Sequence, residues 1–262
     1  MVDLRNTPDL AARARDIRRT ALLMGEVQGQ GYIAQALGIA DVLAVAYFHA
    51  LNLRPEDPEW EGRDRFLLSI GHYAIALYAV LIEAGVLPRA EIETYGSDDS
   101  RLPMSGMASY TPGMEITGGS LGHGLGIAIG MALGLKRKSS AAFIYNLMSD
   151  GELDEGSTWE AAMSAAHWKL DNLILLVDVN GQQADGPSTA MLNFEPLGAK
   201  FAAFGWYVQR MNGNDIAAVR DAFDTRMAKG VRFLEERERN HFLRVEPDEW
   251  SRALAVLEEV QS

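Results

Sequence analysis

Two uninterrupted apolar runs constrain this chain more than any other feature. Residues 141–148 read AAFIYNLM and residues 173–179 read LILLVDV, with a helical segment at 156–168 between them. A strand that is apolar at every position has no face for water, so it belongs in a parallel sheet covered on both sides. Strand, helix and strand in that order make a βαβ unit. The expected fold class is therefore α/β, a parallel sheet with helices on both faces. The first helix is expected to start with Thr7 as N-cap and Pro8 at N1, then to bury Leu10, Ala14, Ile17, Ala21 and Met24. Residues 37–51 read as a second, nearly all-apolar helix, 65–69 as a short strand leading into a helix from His72, and 122–136 as a further helix. A strand at 206–209, a helix from Asp215 and a terminal helix after Pro247 complete the pattern. Residues 96–119 hold Gly, Ser, Pro and Met without periodicity, and a long loop of that kind inside a domain is usually functional. No repeat or linker divides the chain, so residues 1–262 are read as one domain.

Composition excludes several classes. The chain has 24 basic and 36 acidic residues, a net charge of −12, and no cysteine. An acidic protein lacks the basic footprint of a nucleic-acid binder. Without cysteine there is no disulfide scaffold, thiolate zinc site or cysteine nucleophile. No apolar stretch is expected to reach the roughly 18 residues of a membrane span, and the charged N-terminus lacks the apolar core of a signal peptide. A cytoplasmic protein is the expectation.

The chemistry is concentrated in Ser149-Asp150-Gly151 and in Asp178-Val179-Asn180-Gly181-Gln182. Asp150 ends one buried strand and Asn180 ends the next. In a parallel sheet both ends lie on the edge where α/β folds bind ligands. A carboxylate, an amide oxygen and a nearby backbone carbonyl are hard oxygen donors of the kind Mg²⁺ prefers, and Mg²⁺ shares its remaining positions with phosphates and water. Gly151 lets a ligand approach the backbone, and the helix N-terminus behind it favours an anion. A turn would also place Asp-Gly after a strand; the matching Asn on the neighbouring strand favours a Mg²⁺-bridged diphosphate.

The run SDGELDEGSTWEAAMSAAHWKLDNLILLVDVNGQQADG, residues 149–186, resembles the thiamine-diphosphate motif of the transketolase family. Three further segments resemble that family in the same order: DRFLLSIGHYAIALYAVL (64–81), YTPGMEITGGSLGHGLGIAIGMALGLK (110–136) and KGVRFLEERERNH (229–241). The resemblance implies the diphosphate-binding domain of a thiamine-diphosphate fold. It implies that Asp150, Asn180 and the Gln182 carbonyl ligate Mg²⁺, and that Gly151 lies against the diphosphate. Gly119 and Leu121 would face the aminopyrimidine. His72 and His241 match histidines near the cofactor and substrate. Glu155 matches an acidic residue at the subunit contact.

The sequence also departs from the family. It stops where the domain that holds the pyrimidine ring would begin, so it resembles the N-terminal subunit of a split transketolase. A C-terminal partner subunit in a hetero-oligomer, and transfer of a two-carbon ketol unit between sugars or sugar phosphates, are then implied. Tyr32 and Met107 stand where the family has histidines, which points to an altered sugar substrate. Ser149 replaces the first Gly of the GDG motif. An apolar strand expected between the helix at 215–227 and Lys229 is missing, which would leave a neighbouring strand without its ladder partner. The α subunit of a thiamine-dependent 2-oxoacid or acetoin dehydrogenase shares the metal motif and is the alternative enzyme. A non-catalytic relative that only binds a partner is the alternative outside enzymes.

Overall fold

The structure, a computed structural model, describes residues 4–7, 9–225, 232–235 and 243–244. Its helices are α1 (Leu10–Gln28), α2 (Ile33–Val45), α3 (Ala74–Glu83), α4 (Gly124–Arg137), α5 (Gly156–His167), α6 (Ser188–Met191), α7 (Leu197–Ala203) and α8 (Ile216–Asp224). Its strands are β1 (Gln30–Gly31), β2 (Arg65–Leu68), β3 (Ile144–Ser149), β4 (Leu173–Asp178), β5 (Gln182–Gln183), β6 (Gly186–Pro187), β7 (Arg210–Asn212), β8 (Arg232–Glu235) and β9 (Leu243–Arg244).

Five strands form a parallel sheet in the order β2-β3-β4-β8-β7. The two apolar runs are its neighbours β3 and β4, in register from Ile144 opposite Leu173 to Ser149 opposite Asp178. Successive side chains on a strand point to opposite faces, and each face here has its own core. Phe66, Leu68, Tyr145, Leu147, Ile174 and Leu176 pack with α1, α2 and α3. Leu67, Ile144, Met148, Leu173, Leu175 and Val177 pack on the other side with α4, α5 and α7. The expected α/β layering is thus present, and it explains why these strands carry no polar face.

Several local expectations change. Helix α1 is capped by Asp9, whose carboxylate accepts from the Ala12 N–H at 2.8 Å, while the Thr7 hydroxyl donates to the Leu4 carbonyl at 2.7 Å. An anionic cap at the start of the helix also complements the helix dipole. The second helix starts at Ile33, four residues earlier than its apolar run, and passes into a wider π turn at Ala46–Ala50. His72 lies in a 3₁₀ turn, Gly71–Tyr73, that precedes α3. The strand expected at 206–209 forms at Arg210–Asn212 instead, where β8 is available to pair. The stretch Ile33–Ala50 is 18 residues long with a mean hydropathy of 1.5, contrary to the expectation that no run is so long and apolar. Its residues are 78% buried in the fold, so its apolarity is that of a core helix.

The missing strand is expected to leave a neighbour unpaired, yet β4 has a ladder partner on both sides. β8 pairs with Leu176, Val177 and Asp178 of β4 on one side and with β7 on the other. Buried backbone groups need partners, and the Arg-Phe-Leu-Glu segment that follows the shortened connection supplies them. A second short pairing, β1 with β9, places Gln30 opposite Arg244 and Gly31 opposite Leu243. The helix expected after Pro247 and residue His241 lie outside the described residues.

Candidate active site

Asp150 follows β3 directly and Asn180 stands two residues beyond β4. Because Ser149 is in register with Asp178, both reach the C-terminal edge of adjacent strands together. A side-chain contact ties the two loops. Asp150 Oδ2 accepts from the Gly181 N–H at 2.9 Å and from the Ser188 hydroxyl at 2.7 Å. Asn180 Oδ1 accepts from the Gln182 N–H at 2.9 Å. Its Nδ2 donates to the Tyr73 hydroxyl at 2.9 Å and to Asp178 Oδ2 at 3.2 Å. Tyr73 in turn donates to Asp178 Oδ2 at 2.8 Å. The amide is thereby held with its oxygen on the Gln182 side.

Asp150 is 1% exposed. Burial pushes its carboxyl up to about 6, the nearby Asp178 carboxylate adds to the rise, and the bonds from Ser188 and Gly181 oppose it. Burial, and after it Asp178, pushes the Tyr73 phenol far above its usual range. A buried carboxylate beside a second carboxylate is a place where a cation relieves electrostatic cost. Among the described residues, no group of three His, Cys, Asp or Glu side chains is placed to hold a metal. The donor set that fits a hard cation here is Asp150 with the Asn180 amide oxygen and the Gln182 carbonyl. Gly151 lies beside them, where an added Cβ would reach ordinary contact, 3.8 Å, with the Gln183 side chain and Ser149 Oγ.

The second wall is the loop before α4. It crosses the turn before α3 so closely that a Cβ on Gly71 would collide with the Gly118 carbonyl group. The Gly119 N–H donates to the Ser69 carbonyl at 3.3 Å, and the Gly106 N–H to the Gly71 carbonyl at 3.0 Å. Gly119 is exposed and Leu121 is half-buried. At Gly122, with φ +80°, a Cβ would come 2.6 Å from Glu155 Cβ. Glu155 itself is exposed, at the N-cap of α5.

Glu152 links the two walls. It is 1% exposed, and its Oε1 accepts from the Gly122 N–H at 2.9 Å and from the Ser69 hydroxyl. Ser69 Oγ accepts from the Gly124 N–H, the first residue of α4, at 3.2 Å. Burial raises the Glu152 carboxyl above its ordinary range. His72 sits on the same edge, with its ring 4.8 Å from Tyr32 and 4.9 Å from Tyr73. Met107 is half-buried in the loop that Gly106 anchors.

The structure thus brings Asp150, Gly151, Asn180 and Gln182 together, with Gly119, Leu121, Glu155 and His72 along the adjoining wall. Tyr73, Ser188, Ser69 and Glu152 escaped sequence reasoning, as did the role of Asp178 as acceptor for Tyr73 and Asn180. Tyr73 and Asp178 lie 105 residues apart, and no spacing rule joins them. The nearest signal was adjacency, since Tyr73 follows His72 and Asp178 shares the strand end with Asn180.

A parallel sheet covered on both faces, with oxygen donors gathered at the C-terminal ends of two adjacent strands, defines the class of fold. The family described as "Transketolase, thiamine diphosphate binding domain" matches residues 11–232, and the chain belongs to that family. It is 72% identical, over 98% of both chains, to a putative uncharacterized transketolase family protein, y4mO, of Sinorhizobium fredii. It is 37% identical to one of the named subunits of the apulose-4-phosphate transketolase of Actinobacillus succinogenes, over 96% of each. Its fold superposes on the transketolase of Leishmania mexicana with a TM-score of 0.89 at 25% identity, over 97% of this chain and 42% of that one. The alignment to the Sinorhizobium protein spans 274 positions, more than the 262 residues here, so that relative carries residues with no counterpart in this chain.

Proposed function

We propose that residues 1–262 form one domain, the diphosphate-binding subunit of a split transketolase that works in the cytoplasm with a C-terminal partner subunit. The observation that carries the reading is the bond from the Gly181 N–H to Asp150, which joins the ends of β3 and β4 into one oxygen-rich edge. Asp150, Asn180 and the Gln182 carbonyl hold Mg²⁺, and Gly151 lies against the diphosphate. Gly119 and Leu121 face the pyrimidine, and Glu155 belongs to the subunit contact. When bound, thiamine diphosphate would supply the carbanion chemistry for transfer of a two-carbon ketol unit between sugars.

The chain's own side chains bind and orient. His72, whose ring lies 4.8 Å from that of Tyr32 and 4.9 Å from that of Tyr73, exchanges a proton with a sugar hydroxyl through an imidazole nitrogen, and His241 is the second catalytic histidine. Tyr32 stands beside His72 as a hydroxyl donor. The substrate is a sugar or sugar phosphate whose contact at that point is a hydrogen-bond acceptor. The naming of the Actinobacillus relative as a subunit supports a hetero-oligomer.

The test is a pull-down of the tagged chain with thiamine diphosphate and Mg²⁺ present, followed by mass spectrometry and a ketol-transfer screen. Recovery of an equimolar protein resembling the remainder of a transketolase, with transfer activity in the mixture, is the expected result. Dye-linked oxidation of a 2-oxoacid by the recovered complex favours the dehydrogenase alternative. Absence of any such partner leaves the non-catalytic alternative.

A further inference from the structure

We propose that Glu152 is a positioning residue that keeps the loop carrying Gly119 and Leu121 in register with the loop carrying Asp150 and Gly151. This rests on the thiamine diphosphate reading of the site. The geometry is that of a clasp. Glu152 leaves the metal loop two residues after Asp150 and crosses to the opposite wall. There one oxygen takes both the Gly122 N–H and the Ser69 hydroxyl. Ser69 extends the grip to the Gly124 N–H, so the last turn of the loop and the first residue of α4 hang from one carboxyl group.

The reverse side of the clasp is also tied. Thr158 donates to the Glu152 carbonyl at 2.7 Å, and Ser157 donates to the Gly122 carbonyl at 3.0 Å. Glu152 Oε2 and both polar side-chain atoms of Asn146 are buried without a hydrogen-bond partner in the protein. Asn146 Oδ1 and Ser69 Oγ also crowd Gly124, where they leave no room for a Cβ. Such a polar interior is costly unless it does something an apolar core does not. Holding two loops apart at a fixed distance is such a task, because the cofactor has a rigid ring at one end and a diphosphate at the other. Preorganised walls bind it without reordering.

Two probes separate this role from plain structural support. Mg²⁺ with pyrophosphate engages the metal loop alone, and Mg²⁺ with thiamine diphosphate engages both walls. Affinities for each are measured by calorimetry on the full chain. Wild type is expected to prefer the second probe. Glu152→Ala is expected to keep pyrophosphate affinity within about threefold while losing at least tenfold for thiamine diphosphate. Glu152→Gln, which keeps an oxygen in reach of both donors, is expected to restore most of that loss. Should Glu152→Ala fail to fold, Ser69→Ala is expected to show the same selective loss.

Equal loss for both probes, or no loss for either, overturns the proposal. So does a Gln variant that behaves like Ala. A wild-type chain that binds pyrophosphate but gains nothing from the thiamine rings overturns it too. A wild-type chain that binds neither probe, both alone and with the recovered partner present, removes the thiamine diphosphate reading itself, and the proposal with it.

Discussion

Asp150 carries its charge where water barely reaches, and that fact makes a prediction in the absence of any metal. Its carboxyl takes up a proton near pH 6 in the folded protein and near 3.8 in the unfolded chain. Between those values the folded state binds more protons, so stability falls as pH rises through the window. Above it the penalty is full and amounts to about 3 kcal/mol. Asp150→Asn removes the charge but keeps an oxygen for Gly181 and Ser188. The metal-free variant is expected to melt several degrees above wild type at pH 8, with the gain shrinking as pH falls toward 4. It is also expected to lose Mg²⁺-dependent binding of thiamine diphosphate. Paired melting curves across pH check the first effect, and identical curves at every pH remove the argument. Tyr73 gives a second residue-scale expectation. Tyr73→Phe leaves Asp178 and the Asn180 amide without their shared hydroxyl, at a cost of about 1–3 kcal/mol. Urea unfolding measures that loss, and a midpoint unchanged from wild type counts against the network.

At the scale of elements, β8 is the least expected part of the sheet. Four residues stand between β4 and β7 and supply both with ladder partners. Proline within such a strand removes a ladder bond and is not tolerated in a sheet interior. Phe233→Pro leaves a ladder group unpaired and is therefore expected to destabilise the protein by about 1–3 kcal/mol, read as a fall in the melting midpoint. A midpoint within a degree of wild type means that β8 does not hold the sheet together. The legibility of the elements follows their range of interaction. β3, α5 and β4 were legible because burial on both faces leaves a continuous apolar record in the sequence. Asp150 and Asn180 were legible because they sit at the ends of those runs. The Asp9 cap, the π turn after α2 and the displaced β7 are decided by hydrogen bonds and pairings that local patterns do not encode. β8 was illegible for a related reason: a short segment becomes a strand when a neighbour needs a partner. The Tyr73–Asp178–Asn180 network joins two separate segments, so only the folded chain reveals it.

At the scale of the molecule, the proposed function gives the chain one side of a cofactor site. The matched transketolase chain from Leishmania extends well beyond the 42% that superposes on this one. If the other side comes from a partner subunit, cofactor and partner each complete the other's binding surface. Their affinities are then linked: partner raises cofactor affinity by some factor, and cofactor raises partner affinity by the same factor. A cofactor seated between two chains is expected to give a factor of at least ten, about 1.4 kcal/mol of coupling. The measurement is a four-sided cycle. Calorimetry gives the dissociation constant of thiamine diphosphate with Mg²⁺ for the chain alone and for the chain saturated with the recovered partner. Sedimentation gives the affinity between the two chains with and without the cofactor. Equal factors well above one on both arms are expected, and the mixed complex should transfer ketol units while neither chain does so alone. A factor of one means that cofactor and partner bind independently. The site then does not lie between chains, and the oxygen-rich edge of β3 and β4 must bind the whole cofactor by itself.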